Sequence, residues 1–177
     1  MGYRRDLWEI AAQQHGVVTV AQAEDAGVPA VEVRKLASRG VLQRYGQGVY
    51  LHREVPTTRL TQPALAVALA SDGAFLQREA VFDLLGLGQF NPKQIQVGTR
   101  RRVRRALPEW VALEYRSDVA GEDLTAIEGI ACTTVERALR DMRERMPRER
   151  WTALAESAVK RELVSPTEIN INEGALA

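Results

Sequence analysis

The chain has 177 residues, of which 45% are hydrophobic and 27% charged, and its net charge is +1. This length allows one large domain or two small ones, with enough apolar content for real cores. The near-neutral total excludes a polycation, so any affinity for nucleic acid must come from local patches.

Residues 3–15 read as a first helix with Leu7, Ile10 and Ala11 inward and Trp8 at the flank. Gly16 ends it, and Val17 and Val18 form a short extended piece. Thr19 opens a second helix, with Gln22 three residues on as a capping box requires. Val20 and Ala23 face inward, and Gly27 closes it. Pro29 suits the first position of a third helix, because its missing N–H costs nothing there. Ala30, Val33, Leu36 and Ala37 share one face of that helix. Arg34, Lys35, Ser38 and Arg39 lie on or beside the other. Gly40 ends it as a left-handed cap. Residues 41–45 and 48–51 then pair around Gly46 and Gln47.

Three helices and a hairpin in this order make a winged helix-turn-helix over residues 1–53. Five basic residues and one acid fall between Ala30 and Arg53. A solvated helix face beside a hairpin would also read this way, but fold pattern and charge agree on DNA. Arg34, Lys35, Ser38 and Arg39 are expected in the major groove. Arg44 and Gln47 are expected at the backbone or minor groove beside it. About 50 residues is small for an independent core, so this half is expected to lean on the rest.

His52 to Gln62 is polar and contains Pro56; residues 54–61 are read as a linker. Residues 62–170 mix helices with a small sheet, so the fold class is α+β, a winged helix-turn-helix followed by a mixed α/β domain. Pro63 to Ser71 is rich in alanine and leucine and reads as a buried helix. Another helix spans Arg78 to Leu85. Residues 94–98 alternate polar and apolar as a strand does. Val111 to Arg116 and Gly129 to Cys132 are the second and third strands. Thr133 and Glu136 open a helix to Arg145 through a capping box, with Val135, Ala138, Leu139, Met142 and Met146 as its stripe. Trp151, Leu154, Ala155 and Ala158 mark the next helix, begun near Pro147. Ser165 and Glu168 box a short last element, and the tail 171–177 is expected to fray.

Residues 93–105 carry six positive charges and no acid, while residues 109–173 hold 14 acids against 9 bases. Such separation makes a field rather than a mixed surface. Arg100, Arg101, Arg102, Arg104 and Arg105 are therefore candidates for phosphate contact, an acidic protein being the other partner that suits them. If they share a face with Arg34, Lys35 and Arg44, two copies can sit on an inverted repeat.

No catalytic constellation is expected. Asp118, Glu122 and Asp123 cluster in a loop without a histidine or a basic catalytic neighbour. Cys132 lies just before a helix, where its pKa could fall, yet a lone cysteine there reads as core. Arg137 and Asp141 are spaced for a structural ion pair on one helix face. His15, His52 and Cys132 are too scattered for zinc, so no metal or cofactor is expected. One cysteine excludes an intrachain disulfide and fits a reducing cytoplasm. The start MGYRRDLWEI lacks the apolar core of a signal peptide, and no stretch reaches transmembrane length, so no membrane partner is expected.

The run GVVTVAQAEDAGVPAVEVRKLASRGVLQRYGQGVYL resembles the winged domain of AbiEi-type antitoxins, the transcriptional regulators of AbiE, type IV, toxin–antitoxin systems. Its marks are Gly16 to Thr19, Ala26 to Val28, and Leu36, Arg39-Gly40, Leu42, Arg44, Gly48-Val49-Tyr50. The C-terminal half resembles the family in the Arg78 to Gly86 helix, the strand Ile95 to Val97, and GIACTTVERALRDM from Gly129. The resemblance implies a repressor of its own operon that binds double-stranded operator DNA. It also implies an antagonist of a nucleotidyltransferase-like toxin, with direct contact to the toxin not required. Longer proteins of this kind continue into an endonuclease-like domain, which is not expected in a chain that ends at Ala177 without a PD-x(n)-(D/E)-x-K pattern. Two other readings remain: a stand-alone winged-helix regulator with a ligand-binding or dimerisation domain, and a protein-interaction adaptor.

Overall fold

The computed structural model describes residues 2–169; the expected fray at 171–177 lies outside them. The winged half runs α1 (Tyr3–Ala12), β1 (Val17–Thr19), α2 (Val20–Asp25), α3 (Ala30–Ser38), β2 (Leu42–Gly46) and β3 (Val49–His52). Leu7, Ala11, Val18, Ala23, Val28, Val33, Leu36, Leu42 and Tyr50 form its core. Helix α1 stops three residues before His15, because Gly16 N–H turns back to the Ala11 carbonyl. The Thr19 capping box is present in both directions, Gln22 N to Thr19 Oγ1 at 3.2 Å and Thr19 N to Gln22 Oε1 at 3.1 Å. Pro29 caps α3 from just outside, with extended backbone, rather than occupying the first helical position. Strands β1 and β2 both pair with β3, antiparallel.

His52 ends β3 and is fully buried, so the polar linker begins after it. Its Nδ1 accepts from Glu54 N–H, which leaves Nε2 to donate to the Arg4 carbonyl. Burial holds this imidazole below its ordinary 6.5, and the Arg4 carbonyl opposes that only in part. A depressed folded pKa contributes stability above pH 6.5 that is lost as pH falls through the folded value. Urea midpoints should therefore be higher at pH 7.5 than at pH 5.5, and His52→Gln should shrink that difference.

The second half runs α4 (Thr61–Ala70), β4 (Phe75–Leu76), α5 (Glu79–Leu84), β5 (Ile95–Thr99), β6 (Val111–Tyr115), a 3-10 turn (Gly121–Asp123), β7 (Leu124–Ile127), β8 (Ile130–Thr133), α6 (Val135–Met142), α7 (Arg148–Lys160) and α8 (Pro166–Ile169). The class is α+β. The five strands lie in the order β6-β5-β4-β8-β7. Strands β5 and β6 are parallel, as are β4 and β8; the other neighbours are antiparallel. Central β4 has only Phe75 and Leu76, too short to be read from periodicity. Strand β7, which no alternation in the sequence announces, forms a hairpin with β8 through Glu128 and Gly129, both at positive φ.

Helix α6 is capped by Thr134, whose side chain accepts from Arg137 N–H, and not by Thr133. Thr133 is still strand, paired with Leu124. Glu136 thereby falls one place too early for a box and pairs with Arg140 instead. The stripe Val135, Ala138, Leu139 and Met142 is buried as its spacing requires. Trp151 of α7 is buried and donates its indole N–H to the Leu139 carbonyl at 2.7 Å.

Helix α4 joins the two halves. Its Ala66 and Ala70 belong to the core of the second half. Its Leu65 and Leu69 form a junction core with Val17, Val49 and Leu51 of the winged half, flanked by Leu107 and Trp110. A helix packed on both sides has no polar face, which is why TQPALAVALA shows no amphipathic period. The winged half does lean on the rest of the chain.

Candidate nucleic-acid interface

Helix α3 is held by Val33 and Leu36, which are buried against α1, α2 and β2. That anchoring turns Arg34, Lys35, Ser38 and Arg39 outward, and all four are exposed. Lys35 Nζ lies 2.7 Å from Glu32 Oε1, one turn back. An exposed pair of this kind holds weakly and can be exchanged for a phosphate. Ser38 Oγ donates to the Lys35 carbonyl at 2.8 Å. Among the described residues Arg34 and Arg39 have no acidic partner.

The hairpin beside α3 turns at Gln47 and Gly48, one residue later than its composition suggests. Gly46 still belongs to β2, where a bulge between Arg44 and Gly46 shifts the register. Arg44 and Gln47 are exposed, and Arg44 Nε donates to the Gly46 carbonyl at 3.3 Å. The tip does not project freely. A Cβ at Gly46 would overlap Leu69 Cδ2 of α4, and the Gly48 carbonyl accepts from Val20 N–H.

The arginine run is spread along one connection between strands. Residues 100–110 connect β5 to β6 without a helix or strand. Arg102 lies over the Tyr115 ring at 4.7 Å, and Arg100 reaches toward Gly121. Arg105 Nη1 donates to the Leu69 carbonyl at 3.2 Å. Arg105 thus stands beside the hairpin tip and lines with Gln47 and Gly48 a cleft of about 810 Å³ between the halves. Arg101 and Arg104 are exposed. His15 Nε2, 2.7 Å from the Glu128 carbonyl, bridges the halves at the β7–β8 turn.

Asp118 and Asp123 do have basic neighbours. Arg116, nearly buried, places Nε and Nη2 each 2.9 Å from the Asp118 carboxylate. Its Nη1 and Nη2 also donate to Asp141, and Nη1 to Gln77 Oε1. Arg137 donates to Asp141 at 3.0 Å, to Asp123 at 3.0 Å and to Asp118. The i, i+4 pair of Arg137 and Asp141 was readable from spacing; its meeting with Arg116 was not, because β6 register brings Arg116 there. Hydrogen bonds from Arg116, then Arg137, hold the Asp118 carboxyl well below the usual carboxylate range. Asp118, Asp123 and Asp141 are thus each engaged by arginine, which ties the loop after β6 to α6.

Cys132 lies within β8 and is fully buried. Burial pushes its thiol up to about 11, so proximity to α6 does not activate it. Among the described residues no group of histidine, cysteine and acidic side chains is placed to hold a metal, and no helix is long and apolar enough to cross a membrane.

No curated protein matches the chain. The structure aligns with the crystal structure of the RV2827C protein from Mycobacterium tuberculosis at a TM-score of 0.50 and 16% identity, over 97% of this chain and 71% of that one. A likeness at that identity concerns the fold. Residues 5–51 match the family described as "Transcriptional regulator, AbiEi antitoxin". That match runs from Arg5 within α1 to Leu51 within β3, the whole of the exposed basic helix included, so residues 5–51 are similar to the AbiEi antitoxin and transcriptional-regulator family.

Proposed function

We propose that this protein binds operator DNA as the repressor of its own operon and serves as the antitoxin of a type IV toxin–antitoxin system. The observation that carries the reading is the outward face of α3. Arg34, Lys35, Ser38 and Arg39 stand exposed on a helix whose inner face is locked into a trihelical core, within the segment that matches the regulator family. A helix so held reads base edges in the major groove and leaves phosphate contacts to its flanks. Arg44 and Gln47 are the hairpin's share of those flanks. The partner to be opposed is a nucleotidyltransferase-like toxin, and the antitoxin acts with or without touching it. No part of the reading calls for catalysis, a cofactor or a membrane, and its place is the cytoplasm.

The cleft between the halves favours a second reading. Clefts of this size at domain junctions suit small molecules, as a stand-alone regulator with an effector would require. A neighbouring nucleotidyltransferase gene whose toxicity this protein relieves decides for the antitoxin.

The DNA arm is tested by fluorescence anisotropy on the duplex upstream of the gene. Lys35→Ala combined with Arg39→Ala should weaken operator binding at least tenfold, at about 1–3 kcal/mol for each lost base contact. The fold should be spared, since both side chains face away from Val33 and Leu36. Unchanged binding by a folded double variant would sink the assignment of α3.

A further inference from the structure

We infer that the strap of residues 100–110 extends the phosphate contacts of the hairpin, whose tip is held against α4 beside it. This rests on the DNA-binding reading and names a second surface for it.

Strands β5 and β6 are parallel, in register from Ile95↔Val111 to Thr99↔Tyr115. A parallel pair needs a connection that returns along the whole strand, commonly a helix. Here the return is bare chain, covering about 16 Å at 3.3 Å per residue. The strap turns Leu107 and Trp110 inward and its arginines outward. Arg100, Arg101, Arg102, Arg104 and Arg105 are all exposed.

The strap is fixed at both ends. Thr99 Oγ1 donates to the Arg101 carbonyl at 2.7 Å, and Arg102 stacks on Tyr115. At the other end Arg105 donates to the Leu69 carbonyl, while Leu107 and Trp110 pack into the junction core with Val49 and Leu51. This anchoring leaves the charge unneutralised, as it does for Arg59, Arg150 and Arg161, which also bond backbone carbonyls. Arg4, Arg5, Lys35, Arg78, Arg116, Arg137 and Arg140 each meet an acid elsewhere in the fold. Among the described residues, none of the five strap arginines does. Five unpaired charges on a pre-ordered chain cost little further entropy when a polyanion takes their counterions' place.

Leu69 connects this strap to the wing. Its side chain fills the space that a Cβ on Gly46 would need, and its carbonyl takes Arg105. The charge therefore begins where the hairpin tip ends. A duplex lying along Arg44 and the tip continues onto Arg105 and then Arg104 and Arg101. Continuity with the hairpin favours DNA over an acidic protein as the occupant.

The test uses the full chain and duplex DNA, with Kd measured across salt concentrations. Arg101→Gln with Arg104→Gln removes two side chains that make no contact the fold needs, and circular dichroism confirms folding. The log–log salt slope should fall by about 2 units, at roughly 0.9 per phosphate contact, for operator and unrelated duplex alike. An unchanged slope in a folded variant overturns the strap assignment, and does so all the more if toxin relief is lost, which would mark the strap as a protein-binding surface. If that slope is unchanged while Lys35→Ala with Arg39→Ala still abolishes operator binding, only the strap assignment falls. If the unmodified protein binds no duplex, both readings fall together.

Discussion

Asp141→Ala should destabilise the protein by about 3–5 kcal/mol, the range for removing one member of a buried ion network. Asp141 is the shared partner of two nearly buried guanidiniums, receiving Nη1 and Nη2 of Arg116 and Nε of Arg137. Without it the two cations face each other with only Asp118 and Asp123 to answer them. Asp118 is itself more than half exposed, so its screening by water limits what it can offset. The network ties the loop after β6 to α6, so its loss loosens the far end of the sheet. Arg137→Lys should recover little, because a lysine cannot donate in a fork to Asp141, Asp123 and Asp118 together. Urea unfolding followed by circular dichroism measures both. A shift of the Asp141→Ala midpoint no larger than that of a surface substitution would show the network to be dispensable. Acid should act in the same direction. Asp118 is held below its ordinary value, so its contribution is present above about pH 4 and is lost as pH falls toward the folded value.

Leu69→Ala is expected to cost about 2–5 kcal/mol, the range for truncating a buried leucine to alanine. Leu69 is buried in the junction core, against Gly46 and beside Val17, Val49 and Leu51. The loss should not be shared evenly between the halves. The winged half buries a small core of its own, and small cores are marginal. Its α3 depends on the hairpin, and the hairpin depends on α4. Hydrogen exchange should therefore show α3 amides opening well before those of α6, a gap smaller in the unmodified protein. Equal acceleration in α3 and α6 would mean that the chain unfolds as one unit and that the junction does not limit the winged half. Operator binding should weaken too, although Leu69 is too buried to touch DNA, because the tip and Arg105 both rest on it.

The local features were readable because they depend on neighbours in the chain. The apolar spacing of Val33 and Leu36 alone implies which way Arg34, Lys35 and Arg39 point. The Thr19 and Gln22 box, the Val135 to Met142 stripe and the Arg137–Asp141 pair follow from helical periods that tertiary contacts did not override. Composition alone also separated the basic run at 93–105 from the acids after it. What the sequence could not carry depends on pairing across distance. Two residues at Phe75 and Leu76 have no period, yet they sit in the middle of the sheet because β5 and β8 each find an edge there. Whether Thr133 or Thr134 caps α6 was decided by how far β8 pairs with β7. Arg116 joined Arg137 through strand register, which no local spacing encodes. The arginine run became a strap rather than a loose loop because β6 lies parallel to β5, and its far end met the wing because Leu69 fills the space left by a glycine. Side-chain periodicity is a property of one segment, whereas register and close approach are properties of two, and the latter exist only once the chain has folded.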